Sequence, residues 1–200
     1  MQRLSRHTGV NLYDVRKIVN VHELRHDFHR LPLIHRTSGK TLNEPVHALY
    51  SDSVQYHVDR RMGRIIPVKG DFRSKSINQF YALLGIHLKL FYEEIDAPEI
   101  DVHIEARRLQ GGTTHPGASE WETKIQDNTT IMCIGHENVD GGHLEVKDVV
   151  KKELSPAHFI ELTAKHPFRF TPIMSFDGSR EAHQDVYIIT SHVIDRKDSI

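Results

Sequence analysis

Ile100-Asp101-Val102-His103-Ile104-Glu105-Ala106-Arg107 decides the fold class. Apolar side chains alternate with polar ones, the period-2 pattern of a β-strand with one face turned to a core. The polar face carries two readings: His103, Glu105 and Arg107 meet water, or they line the cavity of a barrel. Downstream, strand-like segments recur at Thr129–Ile134, His143–Val150, Ala157–Thr163, Phe168–Ile173 and Asp185–Val193. Turn residues separate them at Asp140-Gly141-Gly142, Ser155-Pro156 and Asp177-Gly178. Short strands at this spacing predict a mainly β sandwich or barrel of the jelly-roll kind, wrapped around a polar, histidine-bearing interior.

Upstream of Pro98 the period changes. Across Ser74–Ile95, the residues Ile77, Phe80, Tyr81, Leu84, Leu88, Phe91 and Ile95 recur at spacings of three and four. That places them on one face of a long amphipathic helix, capped by Ser74 or Ser76 and stopped by Asp96-Ala97-Pro98. The helix is expected to back the sheet. Ala48–Val58 and Gly63–Val68 read as strand material. Residues 1–45 read as an N-terminal arm, with Val10–Val21 and Leu24–Leu33 as short strands or irregular chain. The expected organisation is one domain over 1–200: the arm, strands and helix over 46–95, and a β core over 100–193.

Composition narrows the function classes. A formal net charge of -1 gives no electrostatic case for nucleic acid or an anionic membrane surface. The basic pairs Arg60-Arg61 and Arg107-Arg108 are expected to be solvated. No run approaches the ~20 apolar residues of a membrane span, and Met1–Val10 lacks the apolar core of a signal peptide, so a cytoplasmic setting is the expectation. The single cysteine, Cys133, sits in the apolar run Ile131-Met132-Cys133-Ile134 and reads as a buried, inert thiol. Sixteen histidines are many for 200 residues, but they are dispersed, without an H-x-H arrangement.

Two segments could carry chemistry. Gly111–Glu122 supplies flexible backbone, the His115 imidazole and the carboxylates of Glu120 and Glu122. Lys165–Ile173 places His166 and Phe168 on one side of an extended chain. A metal needs converging donors, and histidine with carboxylate is a common set for oxygen chemistry.

At these residues the sequence resembles a family, the bacterial iron(II)/2-oxoglutarate dioxygenases of the isoleucine-hydroxylase type. The resembling pieces are Asp101–Leu109, Thr113–Glu122, Ile134-Gly135-His136-Glu137-Asn138-Val139-Asp140-Gly141-Gly142, Phe168–Ile173 and Gln184–Ser191, with a weaker likeness over Leu49–Val68. The resemblance implies a double-stranded β-helix, a distorted jelly roll, backed by the long helix. It implies Fe(II) and 2-oxoglutarate as cofactors and a small, amino-acid-like substrate. The family holds its iron with a His-x-Asp pair and a second His, and binds the cosubstrate carboxylate with an Arg before the last strand. Carried over from Glu137-Asn138-Val139, the pair falls on Glu122 and Lys124; carried over from His115-Pro116-Gly117, it falls on Ser119 and Trp121. The second His falls on Phe168 and the Arg on Gln184.

Every mapped chemical position thus departs from the family pattern. One expectation keeps the chemistry by substitution: His115, Glu122 and His166 as metal ligands, with Gln184 or Arg169 near the cosubstrate. The alternative is a catalytically inactive pseudoenzyme with no cofactor, whose barrel binds a small ligand or a protein partner. A third reading gives Glu120 or Glu122, beside Trp121, an acid/base role. A homodimer is left open.

Overall fold

The structure, a computed structural model, describes residues 1–7, 9–29, 34–35, 48–50, 54–69, 77–111, 121–122, 128–163, 166–171, 173–175 and 182–194. It opens with β1 (Gln2–His7), β2 (Val10–Asp14) and α1 (Val21–Phe28), followed by β3 (Ile34–His35), β4 (Ala48–Tyr50), β5 (Val54–Asp59), β6 (Arg64–Lys69) and α2 (Ile77–Glu94). The second half is β7 (Glu99–Gly111), β8 (Asn128–Glu137), β9 (Val139–Gly141), β10 (Leu144–Val146), β11 (Val150–Lys152), β12 (His158–Leu162), β13 (Phe168–Phe170), β14 (Ile173–Ser175) and β15 (Ala182–Val193).

One large antiparallel sheet runs β1-β2-β12-β8-β15-β7-β4-β3, with β5 also pairing to β7 and β6 to β5. Its spine is β15, which pairs with β7 from Ala182↔Gly111 to Val193↔Ile100 and with β8 on its other side. Two small sheets, β11-β10-β13 and β14-β9, form the second layer. From β7 onward the chain alternates between layers: β7, β8, β12 and β15 lie in the large sheet. The Glu122–Phe168 bridge, β9–β11 and β13–β14 lie in the small ones. This alternation is the winding of a double-stranded β-helix, here an open jelly roll rather than a closed cylinder.

The large sheet has two buried faces. On one, Ile100, Val102, Ile104 and Ala106 of β7 meet Leu83, Leu84, Leu90 and Phe91 of α2. Alternation set this face, and α2 covers it as expected. The helix presents a face centred on Leu83, Leu84, His87, Leu90 and Phe91, while Tyr81 is exposed. The capping serines lie outside the described residues. On the opposite face, β2, β8, β12 and β15 contribute Val10, Leu12, Ile131, Cys133, Ile160, Leu162, Val186 and Ile188. These pack against Leu144, Val146, Phe168, Phe170 and Ile173 of the second layer. The expected histidine-rich interior is therefore corrected: most inward positions of these strands are apolar, and among the described histidines only His87 is buried, on the helix-covered face.

The N-terminal segment is built into the fold. β2 pairs with β12 from His158↔Asp14 to Leu162↔Val10, so it extends the large sheet, and β1 edges it. Val21–Phe28 is a helix, its first turn capped by the Asn20 carboxamide, which accepts from the His22 and Glu23 N–H groups. It is too short to show a clear period, and its buried Leu24 and Phe28 give only one turn of spacing. Among the described residues no helix is long and apolar enough to cross a membrane.

Candidate functional site

Two polar side chains, Arg107 and Gln184, stand out in the largely apolar interior of the β-helix. Arg107 projects from β7 into it and is 2% exposed. Its register explains why: on β7, residues 100, 102, 104 and 106 face α2, so 105, 107 and 109 must face the interior. The Arg107 Nε donates to Glu105 Oε1 at 2.8 Å. Nη2 donates to Glu122 Oε2 at 3.0 Å, and Nη1 donates to Glu122 Oε1. Glu122 is held in place by backbone: its N–H donates to Phe168 O at 2.7 Å, and the Phe168 N–H returns to Glu122 O at 2.8 Å. Directly opposed residues of a bridge share a face, so the Glu122 carboxylate lies beside the fully buried Phe168 ring. A guanidinium taken out of water costs several kcal/mol unless it is closely paired. Here two carboxylates and a two-pronged contact pair it.

Arg107-Arg108 is thus not a solvated pair. Arg108 points to the other face and grips Asp185, which is fully buried, through Nε at 2.7 Å and Nη2 at 2.8 Å. Arg60-Arg61, by contrast, lies exposed at a turn.

Gln184 is 2% exposed and faces the interior. Its Nε2 reaches Cys133 Sγ at 3.9 Å, and its Oε1 is buried without a hydrogen-bond partner among the described residues. Gly142, with φ +66°, packs against it; a Cβ there would stand 2.6 Å from Gln184 Oε1. Burial pushes the Cys133 thiol up to about 12, which keeps it protonated and unreactive.

Arg169 stands apart from these groups. Period 2 on β13 turns Phe168 and Phe170 inward and Arg169 outward. It donates to Glu145 Oε2 at 2.6 Å and lies over the Trp121 ring at 4.5 Å. His166 is half-buried just ahead of β13. His115 and Glu120 lie outside the described residues, as do Ser119 and Lys124. So the structure brings Glu122 and Phe168 together, adds Arg107 and Glu105 to them, and sets Arg169 on the outer surface.

A second polar group lies between α2 and the large sheet. The fully buried His87 places Nδ1 2.8 Å from Thr130 Oγ1 and Nε2 2.5 Å from Ser191 Oγ. Burial lowers its pKa to about 3, so the ring is neutral. Nearby, Glu161 accepts from Asn11 Nδ2 at 2.9 Å, the Tyr13 hydroxyl at 3.1 Å and Asn128 Nδ2 at 3.3 Å. Sequence reasoning missed both this cluster and the Arg107 triad. His87 was detectable, since it falls three and four residues from Leu83, Leu84, Leu90 and Phe91. Arg107 had no such signal, because its partner Glu122 is fifteen residues away in another layer.

The donor set can be tested against the iron of the resembling family. Such a site needs three ligands on one face with open positions left over. At the carried-over positions, Glu122 is already committed to Arg107, Phe168 offers no donor atom, and Gln184 lacks the charged fork that holds a carboxylate. Among the described residues no group of three His, Cys, Asp or Glu is gathered so as to hold a metal ion. The described residues do not fit that group.

No protein-family model and no curated protein sequence matches the chain. Solved structures do match. IDO from Bacillus thuringiensis aligns with a TM-score of 0.72 at 12% identity, over 94% of this chain and 91% of that one. The Fe(II)/α-ketoglutarate-dependent dioxygenase TqaL aligns at 0.65 and 11% identity, over 96% and 85%. A 2OG-Fe(II) oxygenase family oxidoreductase from Burkholderia pseudomallei aligns at 0.58 and 14% identity, over 92% and 84%. Identities this low speak for architecture alone. The winding of β7–β15, the covering helix and these alignments together establish that the chain has the fold of the 2OG-Fe(II) oxygenases.

Proposed function

We propose that this protein is a catalytically silent variant of the 2OG-Fe(II) oxygenase fold that acts by binding, either a small ligand or a protein partner. The observation that carries this reading is the Arg107–Glu122 pair set against Phe168. One of the two positions to which the resemblance carries the first metal-binding histidine is occupied by the Glu122 carboxylate, which is ion-paired with the Arg107 guanidinium. A divalent ion placed about 4 Å from that guanidinium would meet repulsion on the order of 8 kcal/mol at an interior dielectric near 20, before any attraction is counted. Phe168 and Gln184 support the same reading, since Phe168 has no donor atom for iron and Gln184 lacks the charged fork that clamps a carboxylate.

Anaerobic titration with ferrous iron tests the proposal, with bound metal counted per chain after desalting. The expected result is no stoichiometric iron and no 2-oxoglutarate turnover with free amino acids. One iron per chain, lost in both His115→Ala and His166→Ala, overturns it. That result would establish instead a site of His115, Glu122 and His166 and an oxygenase acting on an amino-acid-like substrate.

A further inference from the structure

Among the described residues β6 is an edge strand, paired with β5 alone. An edge strand presents a free row of backbone N–H and C=O groups, and proteins normally blunt it. Here the edge is apolar. Ile65, Ile66 and Val68 are 42, 44 and 59% exposed, and Met62 in the preceding turn is 58% exposed. These residues protrude on both faces of β6, whereas Val54, Tyr56 and Val58 of β5 belong to the core beneath α2, so β6 stands beyond that core. Pro67 in the strand lacks an N–H, which confines regular pairing to a short segment.

The surroundings of the edge are basic. Arg60, Arg61 and Arg64 cluster at the turn end of β6. Asp59 accepts from the Met62 N–H, and Arg60 pairs with Asp96 while lying over the Tyr92 ring at 4.6 Å. Among the described residues no carboxylate pairs with Arg61 or Arg64. At the same end, Arg60, Arg61, Asp96, Ala97 and Pro98 line an open cleft of about 390 Å³. An apolar edge thus runs directly into a positively charged cleft.

We infer that β6 is a docking edge for an extended segment of a partner protein, apolar along its length and acidic at its C-terminal end. The segment adds antiparallel to β6, continuing the order of the sheet. Its side chains cover Ile65, Ile66 and Val68, and its terminal carboxylates reach Arg61, Arg64 and the cleft. A second copy of this chain is the poorer occupant: antiparallel self-pairing sets the basic Arg64 end of each copy opposite the Lys69 end of the other and supplies no acidic group. The inference rests on the hairpin and not on the β-helix interior, so it stands whether or not the interior binds iron.

A fluorescein-labelled ten-residue peptide of alternating Val and Thr ending in Glu-Asp-Glu tests it, alongside a control ending in Lys-Arg-Lys. Anisotropy is read on the full chain, and backbone amide shifts locate the contact. The acidic peptide is expected to bind with a Kd on the order of 100 μM, to shift the amides of 64–66, and to bind at least tenfold more tightly than the basic one. The Arg61→Glu, Arg64→Glu double variant should reverse that preference. Both sites are exposed, and an unchanged melting temperature verifies folding. Equal binding of the two peptides, no binding below about 1 mM, or a preference unaltered by the double variant overturns the inference. So does concentration-dependent dimerisation abolished by Ile66→Asp, which assigns the edge to a second copy.

Discussion

The chain contains two Arg-Arg dipeptides that look interchangeable in the sequence and behave as opposites in the fold. Arg60-Arg61 sits at the turn between β5 and β6, where both side chains reach solvent. Arg107-Arg108 sits within β7, the long strand paired on both edges, and there the pleat sends one guanidinium into each buried layer. Arg107 meets Glu105 and Glu122, and Arg108 meets Asp185. The same two residues are a solvated surface at a turn and two internal ion pairs in a central strand. What decides is not charge density but whether the surrounding strands bring carboxylates to the buried guanidinium, from the same strand and the second layer for Arg107 and from β15 for Arg108.

Removing each arginine in turn separates the buried environments from the solvated one. Arg107→Met leaves two carboxylates in an apolar interior and should cost about 3–5 kcal/mol in urea denaturation. Adding Glu105→Gln and Glu122→Gln should recover a large part of it. A loss below about 1 kcal/mol would show that water reaches the interior and screens the triad. Arg108→Met strands the buried Asp185 on the helix side; Arg108 itself touches solvent, so the loss should fall near the low end, about 3 kcal/mol.

His87 extends the comparison to a buried base held without a counter-charge. Its folded pKa of about 3 lies below the usual 6.5, so the unfolded chain takes up a proton that the native state refuses. The stability this provides is complete above pH 6.5 and is lost as pH falls toward 3. The slope is at most about 1.4 kcal/mol per pH unit. Denaturation midpoints between pH 4 and 7 should show that slope in the wild type and lose it in His87→Gln; an unchanged slope would move its origin to other groups. At the exposed end of the scale, Arg60→Gln breaks the pair with Asp96 and the stacking on the Tyr92 ring. It should change stability by less than about 1 kcal/mol, less still in high salt.

Much of the architecture was legible in the sequence, and for a physical reason. β7, β15 and α2 are long and periodic, and their faces follow from period 2 or 3.6 without knowledge of the partner. The likeness to dioxygenases rested on the spacing of such elements and led to the correct architecture. Legibility ended where a residue's state depends on what arrives from another layer. The alternation in Ile100–Arg107 reveals two faces, but not that Glu122 comes across the interior to cover the second one. Arg169 reads like a cosubstrate cation until strand parity beside Phe168 turns it outward toward Glu145 and Trp121. The short α1 was illegible because a helix of two turns leaves too few positions for a period to show.

Cys133 has a practical side. It is the chain's only thiol, it sits fully buried on β8, and its proton is held well above physiological pH. Thiol-directed reagents will therefore pass over the native protein. A single cysteine placed at an exposed position, such as Arg64 or Trp121, will be the sole reactive handle, and spin labels or fluorophores can be attached there without first deleting a native residue.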